Sequence, residues 1–202
     1  ERELDDWLAR AAAYETAAGP PAVAGPGVVD GLARQALAQE HQAGLGLQPN
    51  STHCFVCGLH NPYGLKMRFL QVEPQRVRAY AVVPEVYQGY PGVVHGGVLA
   101  AMLDEVTGRA ASGTDPETAR LFYTLRLTLR YRHATPTQRL LRLEGWVTKD
   151  KGRVVSAQGA VYDAATGQRY VEAEALLMAL PDDVRSQLDP DALGWKIYPL
   201  DL

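Results

Sequence analysis

The stretch Pro91-Gly92-Val93-Val94-His95-Gly96-Gly97 runs directly into Gly96–Ala111, whose apolar residues recur at helical spacing. Two glycines at a helix start leave no Cβ between the backbone and an approaching ligand. The amides of that first turn lack acceptors within the helix and lie at the positive end of its dipole, which makes them a site for an anion or oxyanion. A carbonyl held there would be polarised, and losing one such donor typically costs about 3–4 kcal/mol of barrier. Asp104 follows two turns along the same helix. Aspartate is a poor helix-interior residue, and near a buried seam its carboxylate needs partners or a shifted pKa. Those are the conditions of a general base, or of a nucleophile that forms an anhydride. Taken singly, Gly96-Gly97 reads as tight loop-to-helix packing, and Asp104, beside Glu105, as a surface acid. Their combination is what points to chemistry.

Other residue sets carry less. Cys54-x-x-Cys57, with His53 and His60 close by, has the outline of half a zinc site. Four ligands within eight residues are cramped and no second cysteine pair exists, so the reading is a loop with buried thiols and no metal. Arg126, Arg130 and Arg132 alternate along one strand. They form a solvated or subunit-facing stripe, or a set of forks for phosphate groups. Tyr80, Tyr87 and Tyr90 are candidates to line a pocket. His41 and His133 have no partner in sequence and receive no role.

These residues need a scaffold. Leu65–Val72 and Arg76–Val83 read as short strands, then the Tyr/Pro/Gly-rich loop 87–92 leads into the helix. Phe122–His133 is the clearest strand, with Leu125, Leu127, Leu129 and Tyr131 alternating with Thr124, Arg126, Thr128 and Arg130. Leu140–Thr148 and Val154–Tyr162 are joined by a hairpin turn ending in Gly152, and a second hairpin at 163–167 leads into Gln168–Ala179. Consecutive antiparallel strands with one early helix and no βαβ alternation mean an α+β sheet packed on a helix. Before this domain, at 51–180, lies a 1–50 extension. It comprises a helix over 1–17, a Gly/Pro linker, and a second helix capped by Asp30 and ending near Gln42. A 181–202 tail carries Trp195, Ile197 and Tyr198, which are expected to dock on the rest.

Composition bounds the function. The chain has 202 residues, a 47% apolar fraction and a formal charge of −3, which supports a buried core and argues against a general nucleic-acid binder. No apolar run approaches the roughly 18 residues of a membrane span. Two cysteines are too few for a disulfide-stapled secreted domain, so a reduced, cytoplasmic setting is expected.

A His-Gly-Gly, a helix, and an acid nine residues after the His resemble the HGG branch of the hotdog acyl-CoA thioesterases, which includes the phenylacetate-pathway type. Upstream, Cys54-Phe55-Val56-Cys57-Gly58, Asn61-Pro62 and Gly64-Leu65 look like the lead-in of many single-domain members. Downstream, Leu125 to Pro136 looks like the family's strand with an aromatic and a following Pro. The resemblance covers roughly 51–180. It implies an α+β hotdog fold, an antiparallel sheet wrapped around one long central helix, and hydrolysis of an acyl-CoA thioester to free acid and coenzyme A without metal or cofactor. By resemblance, Gly96 gives the oxyanion amide, His95 holds the loop and the substrate carbonyl, Asp104 is the catalytic carboxylate, and Thr124 orients water. Gly97 belongs to the same turn, and Arg126 and Arg130 are candidates for the coenzyme A phosphates. Where some relatives carry Asn, six residues before the His, this chain has Gly89; Gln88 is the substitute donor by a small loop shift.

Gly96 and Asp104 stand eight residues apart, about 12 Å along a helix axis, too far to serve one thioester from one chain. A homodimer with shared active sites is therefore expected, alone or as a dimer of dimers. The rival readings are a non-catalytic acyl-CoA binding module on the same fold, a hotdog dehydratase, and a DNA-linked regulator. The chain lacks the dehydratase's His-Phe-Pro segment, and its first 50 residues lack a basic helix.

Overall fold

The structure is a computed structural model describing residues 27–29, 31–188 and 190–200. The helix expected over 1–17 and the capping role of Asp30 lie outside the described residues. In chain order the elements are α1 (Gly31–Gln42), β1 (Gly46–Leu47), β2 (Phe69–Glu73), β3 (Arg76–Val82), β4 (Gln88–Tyr90) and β5 (Val93–Val94). There follow α2 (Gly96–Ser112), β6 (Phe122–Tyr131), β7 (Leu140–Asp150), β8 (Val154–Asp163), β9 (Arg169–Ala179), and two single turns of helix, α3 (Asp182–Arg185) and α4 (Pro190–Leu193).

Seven strands form one antiparallel sheet in the order β1-β2-β3-β7-β8-β9-β6, and α2 packs across it. This is the α+β hotdog arrangement. The period-2 alternation of β3 divides its residues between two cores. Val77, Ala79 and Ala81 face the α2 side with Phe69, Leu99, Met102, Leu103 and Val106, whereas Tyr80 and Val82 join Leu70 and the Ala33 and Leu37 side chains of α1. So α1 closes the opposite face of the sheet at that end.

Strands β2 and β6 depart from the sequence reading. The strand expected from Leu65 begins at Phe69, because Lys66 adopts a left-handed φ of 56° and the preceding residues instead bond the loop at 55–56. In β6 the alternation is broken once: Thr124 pairs with Leu177 and Arg126 with Leu176, so Leu125 is an extra, unpaired residue. The bulge changes parity. Thr124 therefore shares the core-facing side with Leu127, Leu129 and Tyr131, while Leu125 is 51% exposed.

The helix comes closest to the sheet at Gly145 of β7 and Gly159 of β8. A Cβ on Gly145 would lie 2.3 Å from the Val106 carbonyl oxygen, and one on Gly159 would lie 3.0 Å from Thr107 Cγ2. Gly145→Ala should thus force α2 off the sheet and destabilise the fold by at least about 2 kcal/mol. The check is the denaturant midpoint against Gly108→Ala, whose Cβ would meet nothing within 4 Å.

Candidate active site

His95 stands at the N-cap of α2 in extended conformation (φ −61°, ψ 133°), and its Nδ1 accepts from the Gly97 N–H at 2.9 Å. The ring folds so tightly over the turn that a Cβ on Gly97 would lie 3.1 Å from Nδ1. The Val98 and Leu99 amides both bond the His95 carbonyl at 3.0 and 3.2 Å. Of the first-turn amides this leaves that of Gly96, which as the first helical residue has no acceptor within the helix. The Tyr131 hydroxyl on β6 donates to the Gly96 carbonyl at 2.8 Å and fixes the peptide from the other side. Sequence reading misses this role of Tyr131. Its signal is a hydroxyl-bearing aromatic on the core-facing side of the clearest strand.

Gly89 packs directly beneath His95, where a Cβ would lie 3.3 Å from the His95 Cα. Gln88 does not point its amide oxygen at this turn; Oε1 accepts from the Gly92 N–H at 3.1 Å and closes the β4–β5 hairpin. Gly89, Tyr90, His95, Gly96, Tyr131 and His133 line a cleft of about 630 Å³. Tyr80 and Tyr87 are not among its walls, and Tyr80 lies on the α1 side of the sheet.

Asp104 opens elsewhere. Its Oδ1 accepts from the Thr124 hydroxyl at 2.8 Å, a contact that exists because the bulge at Leu125 turns Thr124 toward α2. Asp104 and Thr124 line a second pocket of about 310 Å³, with Cys54, Cys57, Glu105, Arg109 and Trp195 among its walls. The structure thus joins Asp104 with Thr124, and His95 with Gly96, Gly97 and Gly89. Within one chain it keeps the two groups in separate cavities. Arg126 and Arg130 lie on the outer face of β6, exposed, away from both.

The wall beside Asp104 holds a polar cluster. Cys54 Sγ lies 3.8 Å from Glu105 Oε2, and Glu105 Oε1 accepts from Arg109 Nε at 2.8 Å. A hydrogen bond from the Cys57 thiol pulls the Cys54 thiol down to about 7. The same bond, then burial, pushes Cys57 up. Arg109 is buried and sandwiched between the Phe69 and Trp195 rings, 4.7 and 4.3 Å from their centroids. So Trp195 of the tail does dock, on a buried guanidinium, whereas Ile197 is 46% exposed.

A family model, the thioesterase superfamily, matches residues 91–169. A solved thioesterase superfamily protein is 27% identical, with a TM-score of 0.56 over 71% of this chain and 78% of its own. Zebrafish thioesterase superfamily member 2 is 18% identical, with a TM-score of 0.51 over 58% of this chain and 83% of its own. A Streptococcus mutans protein solved with acetyl-CoA is 18% identical, with a TM-score of 0.50 over 56% of this chain and 88% of its own. The latter two show the shared fold. No curated protein sequence matches.

His95→Ala removes the acceptor that caps α2 and should cost about 1 kcal/mol, the ordinary worth of an N-cap. The thermal midpoint of the variant, read beside that of wild type, checks it. An unchanged midpoint would mean that the capping bond contributes nothing.

Proposed function

We propose that this chain, a hotdog protein of the thioesterase superfamily, hydrolyses acyl-CoA thioesters to a free acid and coenzyme A. The observation that carries the reading is the Asp104 carboxylate, held by the Thr124 hydroxyl and borne on the same helix whose first turn presents the Gly96 amide. The Gly96 N–H receives the negative charge that develops on the thioester oxygen. Asp104 either takes a proton from an attacking water or attacks the carbonyl itself to give an acyl anhydride that water then cleaves. Either route ends with the sulfur leaving as thiolate and taking up a proton. Thr124, donating to Oδ1, leaves Oδ2 free to face the reacting atoms. His95 acts by shaping the turn that presents the Gly96 amide.

One chain does not complete this site, since Gly96 and Asp104 open into different cavities. The edge of the sheet supplies a reason for a second copy. β6 is a ten-residue edge strand that exposes Tyr123, Leu125 and Tyr131 at 48–51%. An unpaired edge of that length is a template for another strand. Two-fold pairing there sets two α2 helices antiparallel and brings Gly96 of each near Asp104 of the other. A homodimer, alone or doubled into a tetramer, working in the cytoplasm is the assembly that fits this reading.

Asp104→Asn should lower kcat by at least about two orders of magnitude in a free-thiol release assay across short, medium, long and aromatic acyl-CoA esters. Binding of a non-hydrolysable acyl-CoA should change little, since the carboxylate acts in the transition state. Near-normal turnover would remove Asp104 from the mechanism.

Sharing of the site is tested by mixing two inactive variants, Asp104→Ala and Gly96→Pro. Proline at the first helical position deletes the N–H without breaking the helix, and the extended His95 already has the backbone that a following proline requires. In the mixed dimer one site carries both lesions and the other none, so part of the wild-type rate should return. Mixed dimers that form and stay inactive would overturn the shared site.

A further inference from the structure

We propose that Cys54, Cys57 and Glu105 form a binding site for a thiophilic divalent cation of the zinc type, with its fourth position open to the pocket beside Asp104. The ligand atoms are the two Sγ and a Glu105 carboxylate oxygen, and all lie within 4.8 Å of one another. A tetrahedral zinc with Zn–S about 2.3 Å and Zn–O about 2.1 Å needs such atoms about 3.6–3.8 Å apart. Small side-chain rotations therefore close the site. The histidines that sequence spacing placed nearby, His53 and His60, are exposed and are not in the cluster. The third ligand comes instead from α2.

The loop is shaped to hold two sulfurs together. The Gly58 N–H bonds the Cys54 carbonyl at 2.9 Å, and the Val56 N–H points at Cys54 Sγ at 3.3 Å. The turn is so tight that a Cβ on Gly58 would lie 2.3 Å from the Cys54 oxygen and 2.5 Å from its nitrogen. Asn50 fastens the loop from below, its Nδ2 donating to the Cys57 and Met67 carbonyls at 2.7 Å each. Backbone amides directed at a cysteine sulfur favour the thiolate, the form that binds metal.

Charge supports the same conclusion. Arg109 is 2% exposed, and its Nη2 is buried without a hydrogen-bond partner among the described residues. Two thiolates and a carboxylate carry three negative charges; a dication and the Arg109 guanidinium balance them. A buried charge is tolerated when it is paired, and a Cys57 thiolate under a metal gives Nη2 its missing anion. The bound ion would clamp the 51–64 loop to α2 at the residue next to Asp104. This site is independent of the thioesterase reading, because its assay is metal content.

The test uses the full chain, purified under reducing conditions without chelator and then given zinc. It should retain about one zinc per chain through desalting. Cobalt in its place should show thiolate-to-cobalt charge-transfer absorption, and both thiols should resist alkylation until a chelator is added. Cys54→Ser and Cys57→Ser should each weaken retention by at least about tenfold. The wild-type alkylation rates, with and without zinc, decide the matter even if a variant fails to fold. Equal rates together with below about 0.1 zinc per chain, or a Cys54–Cys57 disulfide that re-forms in the presence of zinc, would overturn the proposal.

Discussion

Everything in the site depends on how closely α2 lies on the sheet. At Gly145 the Val106 carbonyl occupies the space a Cβ would need, and at Gly159 Thr107 does the same less severely. These glycines let the helix backbone sink to the strands. That depth allows a short Thr124 side chain to reach Asp104 and a Tyr131 hydroxyl to reach the Gly96 carbonyl. A helix standing one side chain higher would lose both bonds, since neither donor has length to spare. The burial of Leu99, Met102, Leu103 and Val106 against Val77, Ala79 and Leu143 then holds the helix at that depth.

The second constraint is the parity of β6. A strand of strict alternation puts Thr124 on the side of Arg126 and Arg130, facing away from the helix. One extra residue at Leu125 moves Thr124 to the inner face and keeps Leu127, Leu129 and Tyr131 there as well. The same bulge fixes the outward course of the arginines. Their distance from both cavities is thus a consequence of the geometry that assembles Asp104 with Thr124.

Sequence periodicity carries much of the fold because β7, β8 and β9 are long strands joined by short hairpins whose glycines, Gly152 and Gly167, take the positive φ their turns require. The His-Gly-Gly turn and Asp104 are legible for a related reason: their roles follow from helix-end amides and from a carboxylate on a half-buried helix. What stays illegible is set by partners far away in sequence. Bulge placement depends on cross-strand register, so periodicity alone puts Thr124 on the outer face, and only the family resemblance links it to the site. Gln88 reads only as a donor for the reacting turn, and the sequence does not show that its oxygen accepts from Gly92 in the hairpin it closes. Glu105 reads as a mere neighbour of Asp104, although one step along the helix turns its side chain onto a different cluster.

That cluster also explains why the segment before the cysteine loop and the C-terminal tail meet where they do. Arg109, in the last turn of α2, is too polar to bury without compensation. Its Nη1 donates to the Pro49 carbonyl, its Nε to Glu105, and its faces stack on Phe69 and Trp195. Gln48 and Asn50 flank the same spot, one bonding the Arg109 carbonyl and the other the loop that carries the cysteines. The tail pairs back through a single bridge between Asn50 and Lys196. One buried cation thereby gathers the approach to the cysteine loop, the end of the central helix and the C-terminal segment around a single pocket wall. The opposite wall of that pocket carries Thr124. Any change in the charge of the sulfur cluster is consequently felt through Glu105, one residue from Asp104, rather than through a separate and distant layer of the fold.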